Sequence, residues 1–445
     1  MPDRSGDLLA VRSTEALEHA LSQVEAYRSW RAFDLGTKAS IDARYRALPA
    51  LTKRLMNLRT PAAFVSGGRS LEQGLRDGQI ELVTTSGTTD DRILNTWYQP
   101  WWDSSERSSF ALNGHARRVA TGEHREAILV SPLNVGVVSD HPLPLDRRRL
   151  GRFLYLNELV DPLAWPDPHY DRMLRELSLF KPAVLEANPS FLSRLCRYAR
   201  RVGARPFQPQ LITLTYEYPS LVHRRQIQAV FDSPIMSSYG TTECAYVFIE
   251  CEHGRMHQNT DSCRVDLLPF RAERASPFMG MLLVTTFDNP WRALIRFDTG
   301  DLGRIADHPC PCGRTEGVTL ASIEGRAINL TTTPDGGLVT QADVDRRLAA
   351  IEGLDEYQLI QTDRRSYALR VGSDGDDPAV LPRAEQAMRE LYGPGARVVA
   401  SPVGGLAPEA SGKYRLVKAS FTIDPMTFVE PSYWPPSSPE LSPRD

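Results

Sequence analysis

The sequence predicts an α/β protein with a large N-terminal domain, built of α/β subdomains, and a small C-terminal α+β domain. Two observations support this prediction. Short runs rich in β-branched residues alternate with amphipathic segments, which is typical of a sheet covered by helices. After residues 325–329 the pattern changes to a helix, two strands, a second helix and a third strand, which indicates a separate domain.

Length and composition define the class of protein. The chain has 445 residues, of which 41% are hydrophobic, 24% charged and 8% aromatic. These values are ordinary for globular proteins and exclude collagen-like, coiled-coil and wholly disordered chains. The formal net charge of −3 provides no general attraction to nucleic acids or anionic membranes, so we expect neither as a partner.

The N-terminal part begins with predicted helices. Leu17, Leu21 and Val24 recur at helical spacing, and a second amphipathic stretch covers residues 40–58. Helical patterns return at 103–119 and 171–201. The predicted strands cover residues 80–85, 127–130, 184–187, 211–215, 235–238 and 281–286.

The C-terminal part divides into a domain and a tail. The expected elements are a helix at 341–351, strands at 356–362 and 367–371, a helix at 380–391 and a strand at 398–403. We therefore predict domains at 1–325 and 326–424, followed by a tail at 425–445. The tail is rich in proline and serine and cannot bury much backbone, so we expect it to be extended.

The N-terminus and the cysteine content indicate a reducing compartment. The first eight residues (MPDRSGDL) lack an apolar signal core, and no apolar run approaches the roughly 20 residues of a membrane helix. Six cysteines are few for a disulfide scaffold of this size. We therefore expect a cytoplasmic protein with reduced thiols.

Two motifs have residue types that suit nucleotide phosphates and metal ions. Residues 83–90 (VTTSGTTD) follow a predicted strand, and N–H groups and hydroxyls around a glycine converge on phosphate oxygens. In residues 237–243 (SSYGTTE), Tyr239 is suited to stack on a base and Glu243 to bind Mg²⁺. Ordinary polar turns are the alternative interpretation of each motif.

Two further motifs supply a carboxylate and a mobile cation. In residues 295–304 (IRFDTGDLGR), Asp301 follows a Thr-Gly turn and is suited to accept hydrogen bonds from vicinal hydroxyls such as those of ribose. In residues 410–415 (ASGKYR), Lys413 beside a glycine is suited to reach a developing negative charge. A hairpin with a solvated aspartate and an exposed surface lysine are the respective alternatives.

The order and spacing of these motifs, with the Gly-Arg pair of residues 324–326, resemble the adenylate-forming superfamily of acyl-CoA synthetases, adenylation domains and luciferases. The chain looks most like the phenylacetate–CoA ligase-like branch. The segments that resemble this branch are PAVL…NPS at 182–190, YEYP at 216–219 and CPCGR at 310–314. The resemblance covers about residues 75–420.

The resemblance implies a fold with a mobile C-terminal domain and a site for ATP and a carboxylic acid. Lys413 would bridge the substrate carboxylate and the α-phosphate, Thr242 would contact the α-phosphate, and Glu243 would hold Mg²⁺. The implied nucleotide-binding residues are Thr85, Ser86, Gly87, Thr88 and Thr89 in the phosphate loop, Glu217 and Tyr239 at the adenine, Gly240 and Thr241 in the turn, and Asp301 and Arg326 at the ribose or phosphate.

The resemblance implies that a carboxylate attacks the α-phosphorus of ATP, that pyrophosphate leaves, and that the acyl group is then transferred to CoA. The resemblance to the phenylacetate–CoA ligase-like branch further implies that the acid is aromatic. A carrier-protein thiol or an amine is an alternative acceptor. Asp90, Asp91 and Ile328 depart from the family pattern at the phosphate loop and the hinge. Because of these departures, an alternative interpretation is that the protein is a catalytically weakened relative that binds nucleotide or acyl-adenylate and acts as a partner. The oligomeric state is unknown at this stage.

The clustered cysteines suggest a structural zinc site. Cys251, Cys310 and Cys312 with one histidine would form the closed tetrahedral set that Zn²⁺ prefers. We prefer His257 because its place resembles the family's His…Asp strand. His253 and Cys244 are rival ligands, and a set of unrelated thiols is the alternative interpretation.

Overall fold

The computed structural model describes residues 5–84, 93–119, 124–375 and 377–433. Within these ranges the chain forms a 12-stranded mixed sheet and a separate four-stranded sheet, together with two small two-stranded ribbons. Helices cover the larger sheet, so the predicted α/β fold class is confirmed. None of the described helices combines the length and hydropathy of a membrane-spanning segment.

The elements follow in chain order. The helices are α1 (Ser5–Gln23), α2 (Ile41–Ala47), α3 (Lys53–Asn57), α4 (Leu71–Arg76), α5 (Gln99–Phe110), α6 (Gly114–Val119), α7 (Pro132–Val135), α8 (Leu145–Arg148), α9 (Asp167–Phe180), α10 (Pro189–Arg201), α11 (Leu221–Gln228), α12 (Gln341–Ala349) and α13 (Val380–Tyr392). Short 3-10 helices cover Glu25–Ala32, Pro61–Phe64, Pro162–Ala164, Ala327–Asn329, Pro425–Phe428 and Pro431–Tyr433.

The strands are β1 (Glu81–Thr84), β2 (Leu94–Trp97), β3 (Glu126–Leu129), β4 (Arg149–Leu150), β5 (Phe153–Tyr155), β6 (Val184–Ala187), β7 (Leu211–Leu214), β8 (Ile235–Thr241), β9 (Ala245–Glu250), β10 (Met256–Gln258), β11 (Cys263–Pro269), β12 (Met279–Thr286), β13 (Phe297–Ile305), β14 (Thr319–Arg326), β15 (Thr331–Thr332), β16 (Leu338–Val339), β17 (Glu356–Gln361), β18 (Ser366–Gly372), β19 (Arg397–Pro402) and β20 (Val417–Ala419).

Strand β8 joins the two halves of the large sheet. The strand order is β11-β12-β13-β14-β10-β9-β8-β7-β6-β3-β5-β4. Strands β5, β3, β6, β7 and β8 pair in parallel. The other half of the sheet is antiparallel and consists of β8, β9, β10, β14, β13, β12 and β11 in spatial order. Residues 235–237 of β8 pair with β7 and residues 238–241 pair with β9. The carboxyl end of β8 therefore lies where pairing changes, a place where open α/β sheets commonly bind ligands.

The sequence pattern predicted the parallel strands better than the antiparallel ones. Strands β1, β3, β6, β7, β8 and β12 coincide with predicted runs, but β9, β10, β11, β13 and β14 were not predicted. Strand β13 includes Asp298, Gly300 and Asp301, which are unfavourable strand residues taken alone. Long-range pairing with β12 and β14 stabilises it nonetheless.

The N-terminal helices pack on the antiparallel half of the sheet. Leu17, Tyr27 and Tyr45 are fully buried in one apolar cluster with Phe248 and Phe297. The Tyr27 hydroxyl donates to the carbonyl of Ala293 at 2.9 Å and accepts from the Ile295 amide at 3.0 Å. These contacts bring the first 60 residues against the segment that leads into β13.

Helices α9 and α10 cover the parallel half. Leu177 and Phe191 are fully buried against Leu185 of β6 and Ile212 of β7. Because these strands are covered, they consist largely of apolar residues without alternation.

The small sheet, in the order β19-β18-β17-β20, forms the C-terminal unit with α12 and α13. Buried polar contacts join this unit to α10 and α11. The Asp345 carboxylate accepts from the Ser220 hydroxyl at 2.5 Å and from the Leu221 amide at 2.6 Å. The Arg225 guanidinium donates to the carbonyls of Ala349 and Ile351 at 2.6 and 2.9 Å. The domain boundaries at 325 and 424 stay a prediction.

The start of the proline- and serine-rich segment returns to the large sheet. Phe428 and Val429 are buried in a cluster with Phe270, and Val429 forms an isolated β-bridge with Phe270.

Candidate active site

The turn between β8 and β9 presents the residues of the YGTTE motif. The Thr241 hydroxyl accepts from the Cys244 amide at 3.0 Å and closes the turn. A Cβ at Gly240 would collide with the carbonyl of Ala245, so the close approach of β8 and β9 requires glycine. Thr242 is exposed on this turn, whereas Glu243 is buried.

Asp301 faces Tyr239 and Arg326. In the Asp-Thr-Gly-Asp turn, Gly300 has φ +77°, which favours glycine. The Tyr239 hydroxyl donates to an Asp301 carboxylate oxygen at 2.9 Å, and Arg326 Nε lies 3.7 Å from the other oxygen. Burial raises the pKa of Asp301, and the charge of Arg326 opposes that shift most strongly. The three predicted nucleotide-binding residues are therefore in contact.

Lys413 reaches the same site from the C-terminal unit. The loop that carries it is held by Arg415, which donates to the side-chain oxygen of Asn329 and to the carbonyl of Ile328, both at 2.8 Å. Lys413 is half-buried. Burial and the positive charge of Arg326 lower its pKa, and Glu217, Asp301 and Glu243 oppose that change. The lysine thus lies within the electrostatic field of the carboxylates that the motifs predicted.

Glu217 has contacts that the motif did not indicate. Its carboxylate accepts from the Ser190 amide at 2.8 Å, from the Ser190 hydroxyl, and from the Tyr414 amide at 3.3 Å. Burial raises its pKa, and these hydrogen bonds counteract the rise. Glu217 therefore links the start of α10 to the loop of Lys413.

Lys53 is a site residue that sequence reasoning missed. It is the first residue of α3, and its charge counteracts the raised pKa values of the Asp298 and Asp301 carboxyls. The backbone explains its position, because the Leu51 amide donates to Arg296 and the Leu51 carbonyl accepts from Asp298, both at 2.9 Å. More than 200 residues separate it from this turn, so no local pattern could have indicated the contact.

The predicted phosphate loop lies outside the described residues. This applies to Thr85, Ser86, Gly87, Thr88 and Thr89, and also to Asp90 and Asp91. The flanking strands β1 and β2 pair antiparallel, from Thr84 opposite Leu94 to Glu81 opposite Trp97.

The four predicted zinc ligands lie together. The ligand atoms of Cys251, His257, Cys310 and Cys312 are all within 4.8 Å of one another. Cys251 Sγ and Cys310 Sγ are 3.6 Å apart, and Cys312 Sγ is 3.2 Å from His257 Nε2. Cys244, the rival thiol, is instead buried in the apolar cluster under the N-terminal helices.

Three carboxylates gather on the other side of β8. Glu106 receives a hydrogen bond from Tyr246 at 3.3 Å, Glu186 receives one from Tyr216 at 2.5 Å, and Glu126 pairs with Arg152 at 3.3 Å. Burial, followed by the charge of Glu126, raises the pKa of Glu186 to about 8. No sequence motif indicated this group, because its members come from α5, β3 and β6.

Comparison with known sequences gives one partial match. No family model matches the chain. A phenylacetate-coenzyme A ligase of Thermus thermophilus is 26% identical over 204 residues, which are 43% of this chain and 44% of that enzyme. The match thus spans less than half the length of this curated relative.

Solved structures share the fold over nearly the whole chain. A 2-hydroxyisobutyryl-CoA ligase in the postadenylation state, in complex with R3-HIB-AMP, has a TM-score of 0.69 at 17% identity and covers 96% of this chain and 90% of its own. The same ligase in its thioesterification state, with 2-HIB-AMP and CoA, has a TM-score of 0.54. An anthranilate CoA ligase with anthranoyl-AMP has a TM-score of 0.53 at 13% identity, covering 75% of this chain and 65% of its own. The chain therefore shares the fold of solved CoA ligases, and part of its sequence is similar to a phenylacetate-coenzyme A ligase.

The raised pKa of Glu186 predicts a pH-dependent stability. The folded state keeps a proton on Glu186 that the unfolded chain releases, because a glutamate carboxyl has an ordinary pKa of 4.5. The free energy of unfolding should therefore fall as the pH rises from about 4.5 to about 8. Glu186→Gln should reduce this decline and stabilise the protein at pH 8 by at least about 1 kcal/mol. Denaturant unfolding at pH 5 and 8 measures the effect, with the exposed Glu273→Gln as control. An unchanged pH slope in Glu186→Gln would contradict the prediction.

The loop of Lys413 should depend on Gly412. This residue has φ +76°, and a Cβ would collide with the side chain of Ser131. Gly412→Ala should therefore destabilise the docked loop by about 1–2 kcal/mol, which corresponds to about tenfold faster amide hydrogen exchange at residues 409–414. Gly404→Ala is the matched control, because nothing lies within 4 Å of its Cβ position. Equal exchange in the two variants would show that Gly412 is dispensable for docking.

Proposed function

We propose that this protein is an AMP-forming acid–thiol ligase that activates a carboxylic acid with ATP. The observation that supports this most directly is the position of Lys413, which shares one electrostatic site with Glu217, Glu243, Asp301 and Arg326. A carboxylate oxygen of the acid bonds to the α-phosphorus, the bond to the bridging oxygen breaks, and pyrophosphate leaves. No acid–base pair is needed, because cations and N–H donors stabilise charge spread over oxygens.

Each residue of the proposed site binds a different part of ATP or of the acid. Lys413 bridges the substrate carboxylate and the α-phosphate, and the exposed Thr242 contacts that phosphate. Asp301, oriented by Tyr239 and Arg326, accepts from the ribose hydroxyls. The phosphate loop of residues 85–89 binds the β- and γ-phosphates, and Gly240 and Thr241 shape the turn beside them.

Glu243 suits Mg²⁺, a hard cation that prefers carboxylate oxygen. Bound there, the ion would neutralise charge on the phosphates. Glu217 has two roles in this proposal. It borders the adenine, and its contact with the Tyr414 amide keeps Lys413 at the site.

The proposed acyl acceptor is CoA and the proposed acid is aromatic. Three similar proteins, the phenylacetate, 2-hydroxyisobutyryl and anthranilate ligases, are all named as CoA ligases. The acids of two of them, phenylacetate and anthranilate, are aromatic. The thiol sulfur bonds to the acyl carbon, the bond to the phosphate oxygen breaks, and AMP leaves. The TM-scores, 0.69 against the postadenylation state and 0.54 against the thioesterification state, support a structure that represents the first half-reaction. Rotation about residues 326–329 would precede the second.

Labelled pyrophosphate should exchange into ATP in the presence of the right acid. We expect Lys413→Ala to lower this exchange at least about 100-fold, because the transition-state charge loses its cation. The exposed Lys38→Ala is the control and should keep full exchange.

The exchange is measured with a panel of aromatic, fatty and amino acids. Mass spectrometry of the products then identifies the acceptor, as a thioester of CoA or as an acylated carrier protein. No exchange with any acid, or full exchange in Lys413→Ala, would contradict the proposed activity and favour a binding partner.

We further propose a structural Zn²⁺ held by Cys251, His257, Cys310 and Cys312. Zn–S bonds of about 2.3 Å in a tetrahedron place sulfurs roughly 3.8 Å apart, and the 3.6 Å between Cys251 and Cys310 fits that spacing. The Thr319 hydroxyl lies 3.3 Å from His257 Nδ1 and can orient the ring. Four protein ligands leave no open position, so the ion would connect the β9–β10 turn to the loop before β14. All six thiols are free, which supports a reducing compartment, the cytoplasm.

Metal analysis should find about one zinc per chain. Cys310→Ser should lower that content and the melting temperature together, because metal binding contributes folding free energy. Cys196→Ala is the matched control: Cys196 is fully buried in the α9–α10 core, so its loss should lower the melting temperature and keep the zinc. Unchanged metal content in Cys310→Ser would remove this residue from the ligand set.

A further inference from the structure

A cleft lies beside the hairpin that carries the phosphate loop. Its volume is about 240 Å³, and its lining includes Asn57, Arg59, Phe64, Leu94, Thr96 and Arg292. Leu94 begins β2, five residues after Thr89, the last residue of the predicted phosphate loop. The only charged side chains among the described lining residues are the two arginines, so the cleft suits an anion.

Arg292 is the buried cation of this cleft. The residue is 5% exposed, and its NH1 group has no hydrogen-bond partner among the described residues. No ion pair with a described residue engages its guanidinium. By contrast, the buried Arg148 donates to both carboxylate oxygens of Glu176. Burying a charge without a hydrogen-bonded counterion is unfavourable, and an anionic ligand in the cleft would offset that cost.

The charges around Arg292 connect the cleft to the proposed ATP site. Burial lowers the pKa of Arg292, and the negative charge of Glu243 opposes this shift most strongly. Glu243 also acts on Lys413. Arg292 and Lys413 are therefore both influenced by the charge of the carboxylate proposed to hold Mg²⁺.

We propose that this cleft is a pyrophosphate subsite in which Arg292, assisted by Arg59, binds the terminal phosphoryl oxygens of ATP and the leaving pyrophosphate. The planar guanidinium can donate two parallel hydrogen bonds to phosphoryl oxygens. The phosphate loop reads Asp90-Asp91-Arg92 where the related pattern has Gly-x-Pro-Lys, and Arg292 supplies a cation from another segment. This inference rests on the proposed function, because only adenylation brings pyrophosphate to the site.

Calorimetric titration of magnesium pyrophosphate into the full chain, without acid or ATP, tests the subsite directly. We expect Arg292→Met to weaken pyrophosphate binding at least about tenfold, as loss of charge-assisted hydrogen bonds implies. Arg292→Lys should recover part of the affinity. AMP, which lacks the terminal phosphates, should bind all variants within about twofold. The melting temperature of Arg292→Met should not fall, because an apolar side chain replaces a buried unpaired charge.

Arg296→Met is the matched control, because Arg296 is an equally buried arginine four residues away that does not line the cleft. It should keep the affinity for pyrophosphate. Equal pyrophosphate binding in Arg292→Met and the natural chain, a parallel loss of AMP binding, or no pyrophosphate binding by the natural chain would overturn the proposal. Because the titration needs no acid, a protein that binds pyrophosphate through Arg292 but activates no acid would retain the subsite and refute only the proposed activity.

Discussion

The position of Lys413 depends on a half-buried carboxylate, Glu217, that follows β7 of the large sheet. Glu217 accepts hydrogen bonds from Ser190 at the start of α10 and from the Tyr414 amide in the C-terminal unit. A carboxylate shielded from water is stable only when donors surround it. The charge of Glu217 is thus stabilised by donors from both units, and the lysine next to Tyr414 is held at the site.

The same principle organises the rest of the site. Strand β8 ends where parallel pairing changes to antiparallel pairing, and its turn brings Glu243 near Lys413. Strands β13 and β14 place Asp301 opposite Arg326. Opposite charges therefore meet at one site, where the shielded carboxylates Glu243 and Asp301 have a larger effect on their neighbours than they would at the surface.

Unbalanced charges are informative at two places outside this centre. Among the described residues, none forms an ion pair with the buried Arg292, whose NH1 group also lacks a hydrogen-bond partner, and at Glu106, Glu126 and Glu186 carboxylates outnumber the neighbouring Arg152. Folding alone does not favour either arrangement, because both raise the cost of desolvation. Perturbed groups of this kind commonly mark places where a protein binds something else.

The sequence by itself determined the fold class, four of the five parallel strands of the large sheet and the order of the site motifs, and it named the four residues of the Cys/His cluster. Apolar runs in covered strands and glycines at turns are short-range signals, whereas the choice of His257 over His253 and Cys244 rested on the family resemblance. Only the tertiary structure decided that Glu217 contacts Tyr414, that Lys53 acts on Asp301, and that Arg292 lines a cleft. These residues are 196 or more positions apart from their partners or from other lining residues. Their proximity follows from sheet pairing and helix packing, which a local pattern in the chain does not encode.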